Sequence, residues 1–262
     1  MFDPWLAATG FVVGVLVGLT GVGGGALMTP ILILLFGVRP TLAVGTDLAY
    51  AAVTKLVGAI QYLRRRQVNF PYVRWLVVGS VPATIATIWV VSPRMAGVGI
   101  DLEQVTTRAL GAMLVVVACL TLTEPLFYGG RLRDSRFIRS HAVQTRFKEP
   151  ILIVGGIVIG AGVGLTSVGS GSLLMAILLL VSELDILVLI GTDIVHAMIL
   201  IAAAGTAHWV RGNVEFGLVA TLLIGSIPGA WVGSHLSPYV PRSILRMGLA
   251  IVLGATGLKL AL

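Results

Sequence analysis

The second half of this sequence repeats the first half without a gap, at an offset of 146 residues. Gly-Leu-Thr at 18–20 recurs at 164–166, and Gly-Thr-Asp at 45–47 recurs at 191–193. Self-similarity of this kind marks a fold that is built from two copies of one unit. In membrane proteins such a duplication is typical of secondary transporters, whose sites lie where the two repeats meet.

Composition indicates that the main solvent of this fold is lipid. Only 11% of the 262 residues are charged, 57% are hydrophobic and the mean hydropathy is +1.01, whereas roughly a quarter of the residues of soluble domains are charged. Apolar runs cover nearly the whole chain and leave no stretch for a separate soluble domain. We therefore predict an all-α, multi-pass protein of the cell (plasma) membrane.

The net charge of +7 comes from cations that are clustered rather than spread evenly. Twelve of the 18 Lys and Arg residues lie in three short connectors between apolar runs, and such clusters indicate cytoplasmic loops. Contact with anionic lipid head groups explains this charge better than binding to nucleic acid does. The twelve are Arg64, Arg65, Arg66, Arg74, Arg131, Arg133, Arg136, Arg139, Arg146, Lys148, Arg242 and Arg246.

Each half contains five apolar segments that we predict to be helical. In the first half they cover about 5–20, 25–37, 41–63, 70–92 and 104–124; in the second half they cover about 148–165, 170–182, 186–209, 213–237 and 242–261. The predicted organisation is a first repeat at 1–124, an Arg-rich cytoplasmic connector at 125–147 and a second repeat at 148–262.

The topology depends on whether residues 5–37 form one broken helix or a hairpin. One helix would be roughly 50 Å long, against a hydrocarbon core of about 30 Å. A hairpin fits better, with a second arm that is too short to cross the bilayer comfortably. Five elements per half then predict two inverted repeats, each starting with a glycine-broken hairpin, and both termini outside. Eight passes with both termini inside stay the alternative.

A glycine-rich break interrupts the first apolar run of each half, at 20–25 and at 166–171. Irregular backbone inside a membrane occurs only where protein or a water-filled cavity satisfies it. A helix begins after each break, and its free amides and positive dipole end suit an anion. A simple tight turn between packed helices is the other interpretation. The candidate binding residues of the breaks are Thr20, Gly23, Gly24, Gly25, Thr166, Ser167, Gly169, Ser170 and Gly171.

Two acidic residues, Asp47 and Asp193, follow Gly-Thr at the start of long apolar helices. Ionisable groups at membrane depth usually face a cavity, a partner or a proton path. Asp at a helix start can instead cap free amides. The preceding Thr46 and Thr192 are candidates for hydrogen bonding to a substrate, or for capping the same turn.

The halves differ beyond these motifs. Lys55 stands where the second half has Ile201, inside a predicted span and on roughly the same helix face as Asp47, so it is a candidate counter-charge for an anion. His196, one turn after Asp193, is a candidate proton relay or a packing residue. For His208, which lies near a helix end beside Arg211, we expect an interfacial role.

The glycine breaks, the two Gly-Thr-Asp motifs, the basic connector, and Gly-Ser-Val-Pro at 79–82 with Gly-Ser-Ile-Pro-Gly at 225–229 together resemble the TauE/SafE family of membrane permeases. The resemblance covers nearly the whole chain. It implies export of sulfite, sulfoacetate or related sulfur-containing anions. The second break departs from the family pattern, because Ser167 and Ser170 replace glycines.

The leading hypothesis is a secondary transporter, not an enzyme, that exports a small sulfur-containing anion, sulfite or an organosulfonate. Asp47, Asp193 and His196 are the candidates for proton coupling. A cation-linked carrier or channel that uses the two Asp residues is the alternative, and an intramembrane serine hydrolase is a remote one. We expect no cofactor, no metal site and no nucleic acid; the expected partners are a small anion and membrane lipid, and a homodimer stays an open option.

Overall fold

In the computed structural model, residues 4–20, 25–128, 148–182, 184–236 and 239–262 are described. Within these ranges the chain forms helices and no strand, which confirms the all-α prediction. A π-helix, Thr87–Val91, joins α4 to α5. The α-helices are α1 (Pro4–Thr20), α2 (Gly25–Leu34), α3 (Pro40–Arg64), α4 (Phe70–Ala86), α5 (Ser92–Gly97), α6 (Leu102–Tyr128), α7 (Lys148–Thr166), α8 (Ser172–Val181), α9 (Ile186–Val210), α10 (Phe216–Leu236) and α11 (Arg242–Ala261).

Six helical stretches in the described ranges are long and apolar enough to cross a membrane. They are Pro40–Arg64, Phe70–Gly97, Leu102–Thr123, Lys148–Thr166, Ile186–Val210 and Phe216–Leu236. Large apolar side chains such as Val158, Ile224 and Ile251 are exposed on the outer surface of the bundle, as expected for a surface in contact with lipid. The prediction of a multi-pass membrane protein is therefore confirmed.

Two helices run further than the sequence predicted. The segment predicted at 70–92 continues to Gly97 through the π-helix, where the Ser92 hydroxyl donates to the Thr87 carbonyl at 2.9 Å. Pro93 follows at once and has no N–H, so the regular α-helical ladder cannot continue unchanged there. Helix α6 ends at Tyr128, inside the predicted connector, and residues 129–147 lie outside the described part.

The most extensive helix contacts all join the first half to the second. Helix α1 packs on α10, and α4 packs on α7. The two pairs are equivalent in the repeat, because α7 is the counterpart of α1 and α10 is the counterpart of α4. Helices α6 and α11, the last of each half, pack together, and so do α3 and α9. Each half therefore depends on the other for its packing.

Glycines bring the backbones of these pairs into direct contact. A Cβ added to Gly14 would lie 2.4 Å from the carbonyl oxygen of Ser226, and one added to Gly160 would lie 2.1 Å from that of Ser80. The two contacts are equivalent in the repeat, because Gly160 is the counterpart of Gly14 and Ser226 is the counterpart of Ser80. Small residues permit such close crossings in lipid.

A second reciprocal contact fixes the loops that precede α4 and α10. The backbone N–H of Glu215 donates to Thr46 Oγ1 at 3.1 Å, and the N–H of Asn69 donates to Thr192 Oγ1 at 3.0 Å. The threonine of each Gly-Thr-Asp motif thus satisfies a backbone amide of the other half.

The chain reverses direction between α1 and α3. Gly10 lies beside Leu222 near the start of α10, and Gly18 lies further along α10, beside Ala230. Gly45 of α3 is again beside the loop that precedes α10. Helix α2 therefore returns toward the end of the bundle from which α1 started.

We expect Gly45→Ala and Gly191→Ala each to prevent formation of the stable protein. The added Cβ would lie 1.9 Å from a backbone carbonyl of the other half in both cases, the carbonyls of Asn213 and Gln67. Gly248→Ala is the matched control, since its Cβ would meet nothing within 4 Å and alanine favours a helix by about 1 kcal/mol. The yield of monodisperse protein in detergent and its thermal transition are the measurements. Normal yield for both motif variants would contradict the close approach.

Candidate functional site

A cavity of ≈ 480 Å³ lies where the breaks meet the middle of the bundle. It brings together six residues that the sequence singled out: Gly25, Lys55, Ser167, Gly169, Ser170 and Gly171. The other lining residues are Ala26, Ala51, Thr54, Val117, Val168, Ser172 and Ile201. Both halves contribute to this cavity.

The first turns of two short helices border the cavity. Helix α2 begins at Gly25 and α8 begins at Ser172. The first helical hydrogen bond of α8 runs from the N–H of Met175 to the carbonyl of Gly171 at 2.8 Å, so the preceding amides have no partner within the helix. Leu32 and Leu178, equivalent in the repeat, are fully buried and anchor the two helices. The cavity thus receives two positive helix ends.

The backbone of the second break adopts conformations that a helix cannot. Ser167 has φ +61° and Gly169 has φ +108°; the left-handed region costs a serine energy but suits glycine. The buried Thr166 hydroxyl donates to the Gly162 carbonyl at 2.8 Å and accepts from the N–H of Val168 at 3.2 Å. Thr166 therefore supports the break rather than lining the cavity.

Lys55 supplies the positive side chain of the cavity. It is half-buried on α3, one turn after Ala51 and beside Thr54. Its ammonium group is near enough to Asp193 and His196 to interact electrostatically with both. An anion in this cavity would meet Lys55, the Ser170 hydroxyl and first-turn amides that have no partner within their helix, which are the groups that recognise oxyanions.

Asp47 lies behind the cavity in a closed hydrogen-bonded cluster. Its Oδ2 accepts from Thr29 at 2.7 Å and from Ser167 at 2.6 Å, and the two hydroxyls are 2.7 Å apart. The cluster links α2, α3 and the second break. The sequence did not single out Thr29 as a site residue. Its one sequence signal is a difference between the halves, because a threonine stands where the second half has Met175.

Asp193 has different surroundings from Asp47. Its Oδ1, like that of Asp47, is buried and has no hydrogen-bond partner among the described residues. Asp193 differs because the counterparts of Thr29 and Ser167 are Met175 and Gly21, which have no hydroxyl. His196, fully buried, shares a hydrogen bond of 2.9 Å between its Nε2 and Ser80 Oγ. The equivalent acidic residues of the two halves are thus differently bonded.

Several predicted site residues do not line the cavity. Thr46 and Thr192 are fully buried and bond the loops described above. The lining also does not include Asp47, Asp193, His196 or Thr166. Gly23 and Gly24 lie outside the described residues, as does the side chain of Thr20. The transport roles of all these residues stay predictions.

Comparison with known proteins decides the family. The family model described as "Sulfite exporter TauE/SafE" matches residues 6–260. The chain belongs to the TauE/SafE family. This confirms the resemblance that the repeated motifs indicated, and it makes the protein a membrane transporter.

Three relatives of this TauE/SafE protein carry the name "probable membrane transporter protein". YjnA of Bacillus subtilis is 40% identical over 96% of each chain. YdhB of the same organism is 27% identical over 95% of this chain and 96% of its own. MJ0441 of Methanocaldococcus jannaschii is 23% identical over 99% of this chain and 95% of its own. No solved structure matches this chain.

We expect Thr29→Val to lower the thermal transition of the purified protein through the loss of one donor to a buried carboxylate. Hydrogen bonds to charged groups contribute about 1.5–3 kcal/mol. Thr121→Val is the matched control, because the buried Thr121 hydroxyl bonds only the Val117 carbonyl of its own helix. Equal transitions for the two variants in detergent would show that the Asp47 cluster does not stabilise the fold.

Proposed function

We propose that this TauE/SafE protein exports a small sulfur-containing anion, sulfite or an organosulfonate, and that the cavity around Lys55 is its binding site. The observation that carries the proposal is the convergence of Lys55, two helix N-termini and the buried residue Ser170 on one cavity. The family's description as a sulfite exporter supports the choice of anion.

The geometry favours a small oxyanion for three reasons. The amides at Gly25 and Ser172, at the starts of their helices, have no helical partner and can donate, as can the Lys55 ammonium, so these groups favour an anion over a cation. The Ser170 hydroxyl adds a directional donor at the second break, which can distinguish a trigonal or tetrahedral oxyanion from a halide, whereas the Ser167 hydroxyl already donates to Asp47. The apolar side chains of Val117 and Ile201 complete the lining and leave the polar donors on the other sides of the cavity to orient the anion.

Proton coupling through Asp193 and His196 is part of the proposal. Both residues are buried and lie within electrostatic reach of Lys55. Protonation of the Asp193 carboxylate would leave the Lys55 charge free for the anion, whereas the ionised carboxylate would compete for it. Proton binding and anion binding at neighbouring groups would thereby favour each other.

An inverted repeat is the second part of the proposal. Gly205, late in α9, lies beside Leu48, early in α3, and Gly58, late in α3, lies beside Ile194, early in α9. These two contacts run antiparallel. A two-fold axis in the membrane plane relates helices in this way, and it would place the Lys55 cavity near the midplane.

The transport prediction concerns Lys55. We expect Lys55→Ala to slow efflux of sulfite from loaded proteoliposomes by about tenfold or more, because a charged hydrogen bond to the anion contributes about 1.5–3 kcal/mol. Asp193→Asn should abolish the acceleration of efflux by a proton gradient. Lys259→Ala, on α11 and outside the cavity lining, is the control.

Ion substitution distinguishes the anion exporter from a cation-linked carrier. Sulfite efflux should persist when every metal cation is replaced by a large organic cation. Dependence on one metal ion, or unchanged efflux in Lys55→Ala, would contradict the proposed site.

Accessibility of introduced cysteines tests the inverted topology. In a background with Cys119→Ser, Leu262→Cys should react with an impermeant maleimide from outside, and Tyr239→Cys should react only after permeabilisation. Both positions are well exposed, at 94% and 83%. An eight-pass topology with both termini inside reverses the two results.

Two control positions lie on the same side of the membrane in either topology. Val98→Cys, between α5 and α6, should react from outside, and Arg65→Cys, after α3, should react only after permeabilisation. They show that the vesicles are intact and correctly oriented.

A further inference from the structure

A second cavity, of ≈ 320 Å³, shares no lining residue with the first. It lies at one end of the bundle, between the start of α3, the start of α6 and the end of α9. Along α3 the step from Thr41 to Ala51 is about 15 Å at 1.5 Å per residue. The lining consists of Thr41, Ile88, Ser92, Leu102, Thr106, Gly164, Leu165, His208, Arg211 and Asn213.

His208 lines this cavity and has a buried nitrogen without a hydrogen-bond partner among the described residues. The residue is only 6% exposed, and the interfacial role expected from sequence stays a prediction. Its Nε2 lies 2.9 Å from the Gly164 carbonyl, which can only accept, so Nε2 carries the proton. Its Nδ1 is buried and has no hydrogen-bond partner among the described residues. Such a group needs a partner, and none of the described residues supplies one.

Arg211 adds a fixed positive charge to the same cavity. One guanidinium N–H, on Nη1, donates to the Ile88 carbonyl, and the guanidinium stacks 5.6 Å from the centre of the Trp89 ring. A guanidinium has five N–H donors, so the others can serve a ligand. The nearby Glu103 carboxylate has both oxygens engaged by Thr41, at 2.9 and 2.7 Å.

We propose that this second cavity is a second binding site for a small oxyanion, held by Arg211 and by His208 Nδ1. Arg211 donates to the anion's oxygens. Nδ1 donates to an oxygen when the imidazole is protonated, or accepts from the hydroxyl of a protonated oxyanion when it is neutral. The choice of sulfite as the anion rests on the proposed function.

The wall between the two cavities gives the second site its place in transport. Gly164 and Leu165 line the second cavity, whereas Ser167 to Ser172 line the first. Residues 164–167 connect the two linings. His208 is hydrogen-bonded to Gly164 at one end of this segment, and Ser167 donates to Asp47 at the other. An anion leaving the Lys55 cavity past this segment would next meet Arg211.

Equilibrium binding of ³⁵S-labelled sulfite, with sulfate and thiosulfate in parallel, tests the proposal on the purified full chain in detergent. We expect two saturable sites per chain in the parent, one in Arg211→Gln and one in Lys55→Ala. Arg65→Gln is the matched control, because Arg65 is the counterpart of Arg211 in the repeat and is exposed; it should retain both sites. One site or none in the parent, or two in Arg211→Gln, would overturn the proposal.

His208→Gln tests the role of Nδ1. Glutamine can keep a donor near the Gly164 carbonyl but has no group in place of Nδ1. We expect the second site to lose affinity about tenfold, as for the loss of one hydrogen bond to a charged partner. Unchanged affinity would remove His208 from the site.

Trp89 provides a local measurement that leaves Arg211 intact, in case Arg211→Gln does not fold. In a chain with Trp5, Trp75, Trp209 and Trp231 replaced by phenylalanine, the anion should change Trp89 fluorescence with the affinity of the second site. A Trp89 signal that does not respond would contradict the proposal. If Arg211→Gln loses a site but Lys55→Ala does not, the second site is supported and the Lys55 cavity is refuted as the binding site of the proposed function.

A lipid phosphate offers the same anionic oxygens as a free oxyanion. In nanodiscs of phosphatidylcholine and of phosphatidylglycerol, the second site should bind the free anion equally. Loss of that site in phosphatidylglycerol alone would identify a lipid head group as the occupant and overturn a site for free anions.

Discussion

Direct contact between helix backbones of opposite halves is the constraint on which this structure depends. In lipid the apolar side chains gain nothing from leaving water, so helices associate through close packing and hydrogen bonds. Glycines such as Gly14 and Gly160 allow that packing, since an added Cβ would lie within 2.4 Å of a carbonyl oxygen of the other half. Neither half could keep these contacts alone.

The same constraint decides where irregular backbone can occur. The helices that follow the two breaks both border the Lys55 cavity, and Ser167 to Gly171 of the second break line it. The second break is stabilised by its own threonine and by the Asp47 cluster. A backbone conformation that would be costly in hydrocarbon thereby becomes the wall of a polar site.

Differences between the halves give a symmetric scaffold two unlike sides. Both carboxylates have a buried Oδ1 without a partner in the described part of the chain, but the Oδ2 of Asp47 accepts from Thr29 and Ser167, whereas Asp193 has Lys55 within electrostatic reach. A rigidly bonded carboxylate suits a fixed wall, and a less bonded one suits a group that changes its charge. The duplication supplies the common scaffold, and substitutions within it make the two halves chemically different.

Sequence alone determined that the protein is helical, duplicated and embedded in a membrane, because hydropathy and register are properties of the chain itself. It also identified Gly25, Lys55 and Ser170, since glycine breaks and a cation inside a span are visible without coordinates. Only the tertiary structure decided that Thr46 bonds a loop of the other half, that Thr29 joins Asp47, and that His208 is buried beside Arg211. Those facts depend on which distant segments meet, and a threonine or histidine in an apolar helix has the same local pattern whether it faces lipid, a partner or a cavity.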